Sequence, residues 1–275
     1  MLLAPFRLHR PETLDEALHL LSTLEDSVVY MGGTELLLLM KLGMARPEHL
    51  VDCKRVAGLG DLTLLSDRIE IGAAVTHRRV ERDPAVAAAL PALSEMTRQV
   101  ANVRVRNAGT LAGNLCFAEP HSDPATLLLA LDAQVQVAGR GTARVVPMEE
   151  LFAGPLQTTL REGEVLTRVV VPLPALGSRI AYRRFAVKER PAVNVAVVAG
   201  GTPGRTRVVV GAVGPRPVRV PAAEEMLAQA EPEGRPATLA AAAAAVEAYD
   251  DGGGSAEYKR HLVEVLLDRA LRAVV

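Results

Sequence analysis

The chain has 275 residues, 49% of them hydrophobic, and a formal net charge of −1; it can bury a sizeable core and has no bulk attraction for nucleic acid or an acidic membrane. With no Trp and only four Tyr and four Phe, it lacks the aromatics of a base-stacking platform. Its two cysteines, Cys53 and Cys116, form no CxxC pair, which excludes a zinc finger and an iron–sulfur cluster ligated by this chain's cysteines alone.

The length points to two domains, or to one large domain with a cap. A disulfide between Cys53 and Cys116 is disfavoured in a reducing compartment, and two small apolar side chains are the simpler reading. The segment Met1–Arg7 lacks the charged-then-apolar plan of a secretory leader. The apolar runs fall far short of the ~20 residues that span a bilayer. The expectation is a cytoplasmic protein with no transmembrane segment.

In chain order, Leu14, Ala17, Leu18 and Leu21 lie on one helical face, and Thr13 with Glu16 makes a capping box at its start. Ser27–Met31 reads as a strand running into Gly32-Gly33, followed by an apolar helix over Thr34–Leu42 that ends near Gly43. Strands are expected between Leu50 and Val75, most clearly Ile69–Val75, and helices over Arg78–Glu81 and Pro91–Val100. Arg104–Asp123, dense in Gly and Asn, reads as loop. A helix over Pro124–Leu131 and a strand over Ala133–Ala138 follow, and Pro172-Leu173-Pro174 marks the best domain boundary.

Beyond it, strands are expected at Arg179–Phe185, Val193–Ala199 and Arg207–Val213. Helices are expected at Ala222–Gln229, Leu239–Ala248 and Ala256–Ala273, the last with a stripe of Leu262, Val265, Leu266, Ala270 and Leu271. Three strands followed by helices make an α+β unit with its helices on one face of the sheet.

Two segments are candidate ligand cradles. In Tyr30-Met31-Gly32-Gly33-Thr34-Glu35-Leu36 a strand enters, two glycines remove side chains and a helix begins, so backbone N–H groups can approach a phosphate. The competing reading is an ordinary strand-to-helix turn with Thr34 as its cap. The second is Arg104–Asn114, whose small residues again admit a bulky anion; the competing reading there is a surface loop. Two such cradles far apart in sequence fit a dinucleotide lying between two subdomains. Neither GxGxxG nor GxxxxGK[ST] is present, which points away from the Rossmann and P-loop architectures.

These motifs resemble the medium, flavin-binding subunits of the xanthine dehydrogenase and carbon monoxide dehydrogenase family. The resemblance rests on Tyr30–Leu36 and Ile71–Thr76, and most specifically on Val105-Arg106-Asn107-Ala108-Gly109-Thr110-Leu111-Ala112-Gly113-Asn114. Ser122-Asp123-Pro124, Gly163–Leu166, Val213–Arg219 and Tyr258–Leu262 carry it over nearly the whole chain.

The resemblance implies an α+β fold: a vanillyl-alcohol-oxidase (PCMH)-type FAD-binding domain over 1–174, in subdomains of about 1–57 and 58–174. A C-terminal domain over 175–275 follows, its three-stranded sheet carrying helices on one face. It further implies that Val29, Tyr30, Met31, Gly32, Gly33, Thr34, Glu35 and Leu36 hold the FAD pyrophosphate and ribityl chain together with Thr110, Leu111, Ala112, Gly113 and Asn114. Asp123 would accept from a sugar or ribityl hydroxyl, or else cap the following helix. Val165 and Leu166 would wall the isoalloxazine, and Val100 takes the place of an aromatic found in some relatives. Pro191-Ala192-Val193-Asn194 supplies no aromatic lid, and Asn194 is the remaining candidate for the polar flavin edge. Lys188 and Arg190 either tune the flavin or form a solvated charged loop. His121-Ser122-Asp123 is no hydrolase triad, because consecutive residues cannot form the relay.

The function implied is an electron-transfer subunit that takes electrons from the [2Fe-2S] clusters of a small partner and passes them through FAD to an external acceptor. Substrate would be oxidised at the molybdenum cofactor of a large partner, with no catalytic side chain and no metal ligand in this chain, and a dimer of heterotrimers is the assembly the resemblance allows. The rivals are a self-contained FAD oxidase of the same fold and a flavin-free assembly protein.

Overall fold

The computed structural model describes residues 3–201, 206–229 and 234–274. Its first unit is a three-stranded parallel sheet in the order Arg7–His9, His49–Asp52, Ser27–Tyr30. Two crossovers build it: the helix Leu14–Thr23 returns the chain to the second strand in sequence, and Leu36–Lys41 returns it to the third. The first crossover starts as its sequence dictates. Thr13 accepts from the Glu16 N–H at 3.2 Å, and the Glu16 carboxylate reaches back to the Thr13 N–H at 3.4 Å. The second crossover stops at Gly43, whose φ of +73° lies in the left-handed region.

A five-stranded antiparallel sheet follows, ordered Leu62–Leu64, Arg68–Gly72, Val165–Pro172, Gln134–Gly139, Thr142–Pro147. In its central strand Val169 lies between Ile71 and Val135, all three fully buried. Helices His77–Arg82, Pro84–Ala89, Pro91–Arg98, Leu111–Phe117 and Asp123–Ala130 pack into the same core. Arg104–Asp123, expected as loop, holds two helices, Val103–Ala108 and Leu111–Phe117. Their N-caps are Asn102, just before the segment, and Thr110 within it. Asn102 accepts from the N–H groups of Arg104 and Val105, and Thr110 from that of Gly113.

The last unit is an antiparallel sheet of four strands: the three expected, Arg179–Phe185, Val193–Ala199 and Arg207–Gly211, and the short edge Val218–Arg219. Helices Pro221–Ala228, Arg235–Ala244 and Ala256–Val274 cover one face, where Val193, Val195 and Val197 meet Val263, Leu266 and Leu267. The Leu239–Ala248 helix expected from sequence starts earlier, with Pro236 in its first turn, and ends at Ala244. The opposite face, with Ala196, Val198 and Val209, belongs to the larger core and lies against Asp123–Ala130. Burial on both faces explains why Val193–Val198 reads as an unbroken apolar run except at Asn194. No helix among the described residues is long and apolar enough to cross a membrane.

Candidate functional site

The two glycine segments touch. A Cβ on Gly32 would stand 2.4 Å from the Ala108 carbonyl oxygen and 2.6 Å from Gly109 Cα, so only glycine lets these backbones cross. Gly33 has φ +68°, and a Cβ there would enter the Tyr30 ring. The helix ends and turns that meet at this crossing open onto a cavity of about 480 Å³. That lies within the ~300–1,000 Å³ usual for small-molecule sites.

Most of the sequence-nominated residues line it. From the first segment come Val29 and the run Met31–Leu36; from the second come Thr110, Ala112, Gly113 and Asn114. Val100, Asp123, Val165 and Leu166 complete the nominated wall. Three nominated residues are not among the lining. Tyr30 turns behind Gly33, where Lys54 Nζ lies 3.9 Å from its ring centroid. Leu111 is fully buried in the core. Asn194 is fully buried as well: its amide donates to the Ser122 carbonyl at 3.1 Å and its Oδ1 accepts from the Thr126 hydroxyl at 2.7 Å. It braces the turn that presents Asp123, a role that strand periodicity does not disclose.

Asp123 is held from both sides. Its Oδ1 accepts from the Tyr182 hydroxyl at 2.5 Å and its Oδ2 from Arg184 at 2.9 Å. The cap of the following helix is Ser122, whose Oγ accepts from the Ala125 N–H at 3.2 Å. Burial outweighs the Arg184 charge and pushes the Asp123 carboxyl up to about 6. Each carboxylate oxygen keeps a second lone pair, so the group can still accept a ligand hydroxyl.

A charged cluster whose pairing the sequence does not reveal also borders the cavity. His121 lies between two carboxylates, Nδ1 at 2.8 Å from Glu119 and Nε2 at 2.9 Å from Asp251. Arg190, in an exposed bend, pairs with Glu35 at 2.8 Å and Glu119 at 3.2 Å and is one of the residues lining the cavity. Asp251 also accepts from Lys259 at 2.5 Å, and Lys259 is fully buried on the inner side of the last helix. Hydrogen bonding to Glu119, then to Asp251, raises the His121 pKa against the effect of burial. Burial alone would raise Glu119; the His121 hydrogen bond and the Arg190 charge take it below its ordinary value. Sequence could not pair His121 with Asp251, because the two belong to different units.

Both cysteines are free, Cys53 in the core and Cys116 exposed at the cavity. Burial, with Asp52 beside it, pushes the Cys53 thiol up to about 12. Among the described residues no group of three or more His, Cys, Asp or Glu is placed to hold a metal ion.

Residues 4–174 match the FAD binding domain in molybdopterin dehydrogenase, and residues 180–274 match the CO dehydrogenase flavoprotein C-terminal domain. The chain belongs to the FAD-binding subunits of the molybdenum hydroxylases. It is 34% identical over 278 residues to the nicotine 6-hydroxylase medium subunit of Paenarthrobacter nicotinovorans, covering 98% of each chain. Its identity to the carbon monoxide dehydrogenase medium chain of Hydrogenophaga pseudoflava is 33% over 98% of this chain and 96% of that one. A solved structure of carbon monoxide dehydrogenase from that organism, lacking the Mo-pyranopterin moiety, superposes with a TM-score of 0.94 over 100% of this chain and 98% of that chain at 33% identity. Quinoline 2-oxidoreductase from Pseudomonas putida 86 gives 0.92 at 28% identity, over 99% and 98%. The chain is thus an oxidoreductase component of the FAD-binding medium-subunit type, with the α+β architecture of that family.

Proposed function

We propose that this subunit holds FAD in the cavity at the glycine crossing. In this reading it conducts electrons from [2Fe-2S] clusters in a small partner to an external acceptor, while a large molybdenum-cofactor partner oxidises the substrate. The observation that carries this reading is the contact between Gly32 and Gly109, which sets both cradles against a single cavity. Bound FAD supplies the exchange between single electrons and electron pairs, and the protein supplies position, charge and exclusion of water.

The Gly32–Thr34 turn and the Thr110 cap would hold the pyrophosphate, Asn114 and Asp123 the hydroxyls of the chain, and Val165, Leu166 and Val100 the apolar face of the ring. Tyr30, Leu111 and Asn194 would act by positioning these segments. We place the division between the FAD domain and the C-terminal domain after residue 174, with subdomains of about 1–57 and 58–174. A cytoplasmic dimer of heterotrimers is the proposed assembly.

The visible spectrum of the purified chain tests the reading. A flavin spectrum that releases FAD on denaturation supports it, and co-purification with molybdenum and iron separates it from a self-contained oxidase. A folded, colourless protein that takes up no added FAD refutes it and leaves the assembly-protein reading.

A further inference from the structure

The helix Val103–Ala108 leads into the second cradle, and none of its six residues is buried. Val105 lines the cavity on its inner side. Its outer side is bare: Val103 is 47% exposed, and Arg104, Asn107 and Ala108 are exposed with it. Short helices draw most of their stability from packing, so a helix that buries none of its residues lacks a cover.

The surface around it is positive. Residues 77–108 carry six arginines against three carboxylates, Glu81, Asp83 and Glu95, in a chain whose net charge is −1. Buried Glu81 is shared by three of the arginines: Arg78 at 2.8 Å, Arg106 at 3.0 Å and Arg98 at 3.9 Å. One carboxylate cannot balance three guanidiniums. Asp83 is turned to the N–H groups of Ala85 and Val86, whose helix it caps. Arg79 donates to the Gly60 carbonyl at 2.5 Å. Arg82 and Arg104, both exposed, have no carboxylate partner among the described residues. Asn107 shares a hollow with Arg78, Arg79 and Arg82, so the helices His77–Arg82 and Val103–Ala108 present one continuous surface.

We propose that this face is the docking surface for the small iron–sulfur partner, through an acidic patch on that partner. The proposal rests on the FAD reading, which requires a cluster of the partner to stand near the flavin. A helix with its side chains is about 10–12 Å across. A partner seated on the outer side of Val103–Ala108 is therefore separated from the cavity by that helix alone. Charge complementarity selects an acidic occupant, and arginines spread over three helices select a protein surface over a single small anion. Val103 adds an apolar contact inside the charged surround.

The experiment uses the full chain co-expressed with its small and large partners, at low and at physiological ionic strength. The double reversal Arg82→Glu with Arg104→Glu should weaken binding of the small partner about a hundredfold at low salt, mostly by slowing association. The neutral pair Arg82→Gln with Arg104→Gln should weaken it about three- to tenfold and flatten its salt dependence. Because both arginines are exposed and unpaired, each variant alone should melt and take up flavin as wild type does. Amides of residues 103–108 should exchange more slowly in the complex than in the lone chain. Reversing Arg140 and Arg260, exposed on other elements, should leave assembly unchanged.

Unchanged affinity and salt dependence in both arginine pairs overturns the proposal, as does equal weakening by the Arg140 and Arg260 reversals. Protection of 103–108 by the large partner alone, or by a second copy of this chain, overturns it in favour of that occupant. If the charge reversal prevents folding, the neutral pair decides. A wild-type chain that assembles with its partners but holds no FAD removes the FAD reading, while the association measurements still decide the docking surface.

Discussion

The buried pair at the end of the charged cluster predicts an asymmetry between two substitutions. Lys259 is fully buried and its ammonium has one carboxylate partner, Asp251, at 2.5 Å, with the Tyr249 ring centroid 4.9 Å away. Asp251 is better provided: it also accepts from His121 at 2.9 Å and from the Gly253 N–H at 2.7 Å. Asp251→Asn strands a buried cation, and breaking a buried pair from one side costs about 3–5 kcal/mol. Lys259→Met leaves Asp251 two of its three partners and fills the space with an apolar chain, so its cost should be about 1–2 kcal/mol. Urea denaturation of both variants and the double variant at pH 7 measures this. The double variant should lie close to Lys259→Met alone. A Lys259→Met cost equal to or above that of Asp251→Asn would refute the reasoning, since the lysine would then contribute more than it demands.

Three further outcomes are expected. Gly32→Ala forces a Cβ against the Ala108 carbonyl and Gly109 Cα, both backbone; it should cost about 1–3 kcal/mol of stability in thermal or urea melts and abolish flavin retention. Asp123→Asn sets an amide N–H against either the Tyr182 hydroxyl or Arg184, should destabilise by about 1–3 kcal/mol, and should weaken FAD binding in a fluorescence-quenching titration. His121 binds its proton more tightly folded than unfolded, so its contribution to stability is full below about pH 6.5 and is lost as pH rises through the higher folded value. Stability curves of wild type and His121→Gln between pH 5 and 9 should therefore converge at the alkaline end.

The elements set by neighbours in sequence were legible; those set by contact between units were not. The capping box at Thr13 and Glu16 and the stop at Gly43 are local chemistry. Arg104–Asp123 misled because Asn and Thr serve turns and helix caps alike, and only the bonds that Asn102, just before it, and Thr110 accept from the following N–H groups separate the two. In Val193–Val198 no alternation marks a face, since helices cover one side and the FAD domain the other. The Lys188-Glu189-Arg190 run is an exposed bend, and sequence does not show that Glu35 and Glu119 come from other segments to pair with Arg190. His77, which also lines the cavity, gave a weak signal, a histidine where a strand region turns into a helix, and nothing nearby in sequence shows that its ring would be buried with Nδ1 unpartnered.

The glycines deserve a different explanation from the one their motif invites. A Gly-Gly before a helix is usually read as room for a phosphate. Here the space a Cβ on Gly32 would fill is occupied by the second cradle, and at Gly33 by the Tyr30 ring together with a left-handed φ. The first requirement is therefore that two backbones cross. The cavity follows from the crossing, because it brings the turn after Tyr30, the Thr110 cap and His77 to one point from three separate stretches of chain. On this view a larger residue at Gly32 removes the ligand site by separating its walls, not by filling it, so loss of flavin and loss of stability should appear together in Gly32→Ala.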